Sequence, residues 1–273
     1  MKPIGDMART LLLTAAAILL ATPTAAAAGS FWVTADQILK PADAERPPVL
    51  VDVRPAAKTA AVRIPGSIAM PLYVLRTKAF FKTRPFVLVD QGFDQRELAA
   101  ECRKLRGEGF DARVLHGGLA AWQRAGGLLT GNRFERDKLS VIQPRDLHRA
   151  SRHGAFLAVA LGPEKTAEAE RLLPGSIHVT FDGDPARLPA QLDRLPKDPG
   201  RDTVVITPEG SDFMAIGQAA DTAGLARVFF LSGGLAAYKQ YLSDLERSHR
   251  PRAQRLQGQP QCFPCRKAAG KSG

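Results

Sequence analysis

Gly117-Gly118-Leu119-Ala120-Ala121-Trp122 returns as Gly233-Gly234-Leu235-Ala236-Ala237-Tyr238, 116 residues further along the chain. Working outward from this pair, three more matches fall in the same order. Phe86-Val87-Leu88-Val89 corresponds to Thr203-Val204-Val205-Ile206, each an apolar run before a Gly-containing loop. Ile64-Pro65-Gly66-Ser67-Ile68 corresponds to Leu173-Pro174-Gly175-Ser176-Ile177, 109 residues later. Trp32-Val33-Thr34-Ala35-Asp36-Gln37-Ile38-Leu39 corresponds to Val141-Ile142-Gln143-Pro144-Arg145-Asp146-Leu147, again at 109 residues. A single Pro-Gly-Ser match carries little weight, but an ordered series at nearly constant spacing is the signature of an internal duplication.

Each half reads as short apolar strands alternating with helices. Val49-Leu50-Val51, Phe86 to Val89 and Ala112 to Leu115 are buried-strand runs. Glu97 to Leu105 reads as a helix, with Leu98, Ala99, Cys102 and Leu105 on one face. Thr34 is placed to cap a helix, and Pro144 to occupy the first turn of another. The glycine pairs open further helices. This alternation predicts an α/β fold in which a parallel-type sheet is covered by helices on both faces. The expected organisation is a leader over 1–28, a first domain over 29–130, a polar linker over 131–138, a second domain over 139–246 and a basic, flexible tail over 247–273.

The chain has 273 residues, 45% hydrophobic and 24% charged, which excludes wholesale disorder and a multi-span membrane protein. Its net charge of +11 is uneven. From Arg247 onward seven basic residues stand without an acid, so the globular part carries little net charge. Such a tail suits contact with an anionic surface or an acidic partner. Nucleic acid is excluded as a partner: Phe263 is the tail's lone aromatic, and no binding module is legible.

Residues 1–28 read as a secretory signal peptide. Lys2 and Arg9 precede an apolar core, Leu11 to Leu20, and the small residues Ala25 to Ala28 offer a cleavage site. An uncleaved anchor is the alternative; the short, Ala-rich stretch interrupted by Pro23 argues against it. The expected location is the bacterial periplasm, with no stable membrane span after cleavage. Paired cysteines form disulfides in that oxidising compartment.

Asp52-Val53-Arg54, then Ile64-Pro65-Gly66-Ser67-Ile68, then a strand running into a loop, then Gly117-Gly118 with Trp122, resemble a rhodanese domain. The second half is a fainter copy, so the chain resembles a tandem rhodanese over about residues 31–243. The resemblance implies a sulfurtransferase fold. It also implies a cysteine at the end of the central strand that carries sulfane sulfur as a persulfide, within a loop whose N–H groups cradle an anion. At that position stand Asp90 in the first half and Thr207 in the second. Neither residue forms a useful persulfide. The acids Asp90, Asp94, Glu209 and Asp212 oppose an anionic donor, and the usual Gly-His before Ile-Pro-Gly is Val62-Arg63 here. The loop residues left as ligand-binding candidates are Gly92, Arg96, Gly210 and Ser211; for Arg96 the competing reading is a pair with Asp90 or Asp94.

Cys262-Phe263-Pro264-Cys265 is the sharpest remaining chemical signal. Two cysteines at this spacing can close a reducible disulfide, and Arg266 and Lys267 favour a thiolate. Three readings stay open: an inert tail disulfide, a thiol-exchanging or sulfur-carrying arm, and a metal or attachment site. One Cys pair lacks the four ligands of structural zinc, so no metal is expected, and no cofactor is implied. Cys102 reads as a buried helix residue, Arg54 as a structural ion-pair partner, and Trp122 and Tyr238 as core.

The leading functional expectation is an exported protein inactive as a thiosulfate sulfurtransferase, serving as a binding or scaffold module in periplasmic sulfur or thiol metabolism. It would act through a periplasmic protein partner or a thiol or sulfur carrier. The alternative is a thiol–disulfide or sulfur carrier using Cys262 and Cys265; a working sulfurtransferase is the third reading.

Overall fold

A computed structural model describes residues 30–40, 48–154, 156–198 and 200–249. In chain order the strands are β1 (Trp32–Val33), β2 (Val49–Asp52), β3 (Val62–Arg63), β4 (Ile68–Ala69), β5 (Phe86–Val89), β6 (Ala112–Leu115), β7 (Thr130–Gly131), β8 (Val141–Ile142), β9 (Phe156–Gly162), β10 (Ile177–Thr180), β11 (Asp202–Ile206) and β12 (Val228–Leu231). The helices are α1 (Ala35–Leu39), α2 (Ala56–Ala61), α3 (Leu72–Leu75), α4 (Arg96–Gly107), α5 (Gly118–Arg124), α6 (Arg133–Asp137), α7 (Pro144–Ser151), α8 (Ala167–Leu172), α9 (Leu188–Leu192), α10 (Phe213–Thr222) and α11 (Gly234–His249).

The expected α/β architecture is present twice. One five-stranded parallel sheet runs β1-β6-β5-β2-β4; the other, from its matching edge, runs β8-β12-β11-β9-β10. The two orders are the same topology, strand for strand. The sequence repeat is therefore a repeat of the fold, with β5 and β11 as the central strands.

Strand alternation sets the two faces of each sheet. In β5, Phe86 and Leu88 pack with Leu98, Cys102 and Leu105 of α4, while Val87 and Val89 pack with Leu119 and Trp122 on the α5 side. In β11, Val205 faces Ile216 and Ala220 of α10, while Val204 and Ile206 face Leu147 and Tyr238. All four β5 residues are fully buried, which is why the run needs no polar residue on either face. Burying one such side chain is worth about 1.5–3 kcal/mol.

The caps read from the sequence form. Thr34 and Gln37 make a reciprocal capping box at α1, and Pro144 opens α7 behind Gln143 and Asp146. The stretch expected as a polar linker carries structure of its own. Thr130 and Gly131 pair antiparallel with Arg63 and Val62 of β3, and Asn132 caps α6 through the Phe134 N–H at 2.8 Å. The halves are thus joined by a short ordered crossover tied to the first domain. Leader and tail, with Cys262 and Cys265, lie outside the described residues. Among the described residues no helix is long and apolar enough to cross a membrane.

Gly175 and Gly234 both have positive φ, at +76° and +58°, so an alanine is strained at either. They differ in space. A Cβ on Gly175 meets nothing within 4 Å, whereas one on Gly234 falls 2.2 Å from the Thr207 carbonyl oxygen. Urea unfolding of Gly175→Ala is expected to lose about 1–2 kcal/mol. Gly234→Ala is expected to lose clearly more, since backbone must also move. Equal losses would contradict the close approach of the second glycine turn to the β11 loop.

Candidate functional site

In parallel sheets the carboxyl ends of the strands form the natural ligand crevice. β5 ends at Val89 and runs into Asp90 to Gln95 before α4; β11 ends at Ile206 and runs into Thr207 to Asp212 before α10. In each half the helix opened by the glycine pair closes on the first two loop residues. Leu119 and Ala120 donate to the carbonyls of Asp90 (2.9 Å) and Gln91 (3.3 Å); Leu235 and Ala236 donate to those of Thr207 (2.9 Å) and Pro208 (3.1 Å). Both glycines of each pair have positive φ, and each loop has one non-glycine residue there, Asp94 or Asp212.

Each strand-end side chain is an acceptor engaged by its own loop. The Asp90 carboxylate accepts from Gln95 Nε2 at 2.6 Å. Gln95 is itself buried: its Nε2 also donates to the Leu115 carbonyl at 3.0 Å, and its Oε1 accepts from the Gly117 N–H at 2.8 Å. Burial pushes the Asp90 carboxyl up to about 7, against the pull of the Gln95 hydrogen bond and of Arg227. Thr207 is buried, and its hydroxyl accepts from the Gly210 N–H at 2.9 Å. The side chain therefore occupies one of the N–H groups that could serve an anion.

The first loop is closed by the second half. Phe93 packs between Phe229 and Phe156, with ring centroids 5.3 and 6.3 Å away. The Asp94 N–H donates to Asp202 Oδ2 at 2.9 Å. Arg227 bonds the same carboxylate through Nε at 2.7 Å and donates from Nη2 to the Gly92 carbonyl at 3.3 Å. Gln91 Nε2 reaches the carbonyls of Leu139 and Val141 at 3.0 and 3.1 Å. Gly92 is buried in this contact, and Arg96 holds Asp94 through two hydrogen bonds of 2.6 and 2.9 Å, the pairing that was its competing reading. The second loop is open: Glu209, Ser211 and Asp212 are exposed and Gly210 half-buried, with the Ser211 hydroxyl donating to Asp212 at 2.7 Å. Beside it, a cavity of about 550 Å³ between the halves is lined by Arg54, Gln91, Leu139, Ser232, Phe213 and Met214 among others.

The remaining candidates are placed plainly. Cys102 is fully buried against the Ala112 carbonyl, and burial pushes its thiol up to about 11. Arg54 pairs with buried Asp52 at 2.7 Å and donates to the Val62 carbonyl. Trp122 is core, its indole N–H held by the Leu128 carbonyl at 3.0 Å; Tyr238 is core as well. Burial, helped by Arg227, holds His116 down at about 4. Among the described residues no group of His, Cys, Asp or Glu is placed to hold a metal ion. Sequence reading missed Phe93, Asp202 and Arg227. The available signal was Asp202, a carboxylate opening a strand that is otherwise uncharged and buried.

Two segments of the chain, residues 34–125 and 160–241, match the family described as the rhodanese-like domain. The chain belongs to that family, in tandem form. Among solved structures it is similar to a thiosulfate sulfurtransferase from Pseudomonas aeruginosa, at 22% identity over 77% of this chain with a TM-score of 0.30. It spans 42% of that protein's length. It is also similar to the 3-mercaptopyruvate sulfotransferase SseA from Escherichia coli, at 19% identity over 75% of this chain and 98% of that one, TM-score 0.30. A rhodanese-like domain protein from Staphylococcus aureus matches at 25% identity over 33% and 89% of the two chains, TM-score 0.29. Among curated proteins no match is found.

A carboxyl raised to about 7 is protonated in the folded chain at pH values where the unfolded chain has already lost that proton. Its effect on stability is nil below about pH 4, grows as pH rises, and levels off above about 7 at a cost of roughly a few kcal/mol. Asp90→Asn keeps an acceptor for Gln95 and removes the titration. Thermal melts of the variant are expected to match wild type near pH 4 and exceed it at pH 8; a constant difference across the range would refute the shift. Phe93→Ala is expected to lose about 2–4 kcal/mol in urea unfolding, as a large aromatic leaving a packed cluster does.

Proposed function

We propose that this tandem rhodanese-like protein is exported to the periplasm, is silent as a thiosulfate sulfurtransferase at both strand-end loops, and works as a binding or scaffold module in sulfur or thiol metabolism. One observation carries the reading. The side chain that follows each central strand is a hydrogen-bond acceptor consumed by its own loop: Asp90 by Gln95, Thr207 by the Gly210 N–H. Sulfane transfer needs a thiolate there, and thiolate reactivity needs exposure and a low pKa. Cys102 meets neither condition, being buried and raised to about 11. The open second loop, with Gly210 and Ser211, together with the cavity that Phe213 and Met214 just after it line, is the surface offered to a partner. The signal-peptide pattern of residues 1–28 supports export.

A second reading is favoured by the sequence of the tail. Cys262 and Cys265, followed by Arg266 and Lys267, would supply the thiols that the domains lack, making the protein a thiol–disulfide or sulfur carrier. The purified protein is expected to transfer sulfur from thiosulfate to cyanide no faster than buffer. Turnover that persists in Cys262→Ser/Cys265→Ser would overturn the silent-loop reading; turnover that disappears in that variant would move the function to the tail. Fractionation of expressing cells checks export, with the protein expected in the periplasmic fraction.

A further inference from the structure

Between Asp52 and Asp90 the sequence holds seven Lys or Arg residues and no Asp or Glu. The fold collects the later part of this stretch on one ledge of the first domain. α3 and the 3-10 turn over Ala79–Lys82 pack on the sheet face that also carries α4. From Arg76 to Arg84 every residue is exposed except Phe81. Leu75 and Phe81 pin the ledge from beneath: both are buried, and the Phe81 ring packs on Phe86 at 5.1 Å. A segment anchored this way holds its outer side chains in place.

Those outer side chains are cations and aromatic rings. Tyr73 is 76% exposed and Phe80 49% exposed, two large rings presented by one short segment. The Arg84 guanidinium lies over the Phe80 ring, 5.4 Å from its centroid, and Lys82 lies over Phe110 at 5.4 Å. Arg76 is neutralised by Glu101 at 2.8 Å and Glu108 at 3.6 Å. Lys78, Lys82 and Arg84 have no carboxylate within ion-pair distance among the described residues.

From this arrangement we infer that the ledge docks on an anionic phospholipid surface, with Lys78, Lys82 and Arg84 at the headgroups and Phe80 and Tyr73 entering the interface. Exposed aromatic rings flanked by basic residues are the combination that binds such surfaces. An acidic peptide is the less suitable occupant. It would need a groove or a free strand edge, and the cavity between the halves does not reach residues 68–84, while β4 offers an edge of two residues. The inference is independent of what the two strand-end loops do.

The test places a reporter on the ledge itself, so binding through other parts of the chain does not count. In the full chain, Phe80→Trp emission, corrected for the parent protein, is followed with vesicles of phosphatidylglycerol carrying brominated acyl chains. Quenching by about twofold or more is expected, because a ring seated at the interface comes within reach of the bromines. Brominated phosphatidylcholine should leave the emission unchanged, and high salt should reverse the effect. Adding Lys78→Glu, Lys82→Glu and Arg84→Glu should weaken the vesicle response by at least about tenfold. Should that triple reversal disturb the circular dichroism melt, Lys78→Gln/Lys82→Gln serves instead, with a smaller loss expected. Emission that ignores phosphatidylglycerol, responds equally to phosphatidylcholine, or survives charge removal overturns the inference. A response to polyglutamate without one to vesicles would assign the ledge to an acidic protein and overturn it equally.

Discussion

The seating of Gly92, Phe93 and Asp94 on the Asp202–Arg227 pair is the contact on which the arrangement of the two halves depends. Burying an ion pair costs several kcal/mol of desolvation per charge, and the attraction repays this only when the remaining lone pairs and protons are also used. Here the first half supplies what the pair lacks. The Asp94 N–H satisfies Asp202, and the Gly92 carbonyl accepts a hydrogen bond from Arg227. Phe93 then fills the aromatic cluster of Phe229 and Phe156, so apolar and polar terms are satisfied by the same three residues. Burial still outweighs the pull of Arg227, so the Asp202 carboxyl is raised above its ordinary range. Such a pair is held by its partners and would be poorly placed without them.

The same contact explains why two copies of one topology present different surfaces. In the first half the loop after the central strand has become an internal joint: Gly92 lies against the Gly117 carbonyl, where a Cβ would come within 2.0 Å, and the loop's outer side is occupied by the second half. Asp90, behind it, is half-buried, and desolvation is the source of its raised pKa. In the second half the equivalent loop meets no such cover. Its polar contacts stay within its own half, the Thr207 hydroxyl with the Gly210 N–H among them. Duplication thus supplied two strand-end loops, and packing committed one of them to structure.

Much of this was legible in the chain because the decisive signals are local. The ordered repeats located both sheets, and the all-apolar run of β5 announced a strand buried on both faces. Glycine pairs marked the turns because a Cβ on Gly234 or Gly118 would fall 2.2 or 2.5 Å from a loop carbonyl oxygen, so only a residue without one fits. The joint between halves was not legible. Phe93 lies more than a hundred residues from Asp202 and Arg227, and in sequence it is one more aromatic in a Gly-containing loop. The polar stretch over 131–138 read as a linker because its charges hide the short helix within it, which follows directly on the Thr130–Gly131 pairing with β3. Arg96 stood between two readings for a similar reason: composition does not say whether an arginine meets a ligand or the aspartate two residues before it.

The two strand-end residues share a physical logic although their chemistry differs. A loop that turns sharply into a helix leaves N–H groups facing inward, and those donors must be met by an anion, by water or by a side chain. Asp90 and Thr207 are both short acceptors positioned to meet a donor from within the loop, a glutamine amide in one case and a backbone N–H in the other. Each loop can therefore hold its shape without a bound anion. The glycine turns and strand ends of the family are retained, while the polar demand that a charged ligand would satisfy is met in part by the chain itself. What remains open for recognition is the rim of the second loop and the cavity beside it, where Phe213 and Met214 stand at the head of α10 facing Gln91 and Leu139 of the joint. A partner bound there would touch both halves at once, and its affinity would depend on the Phe93 contact holding them together.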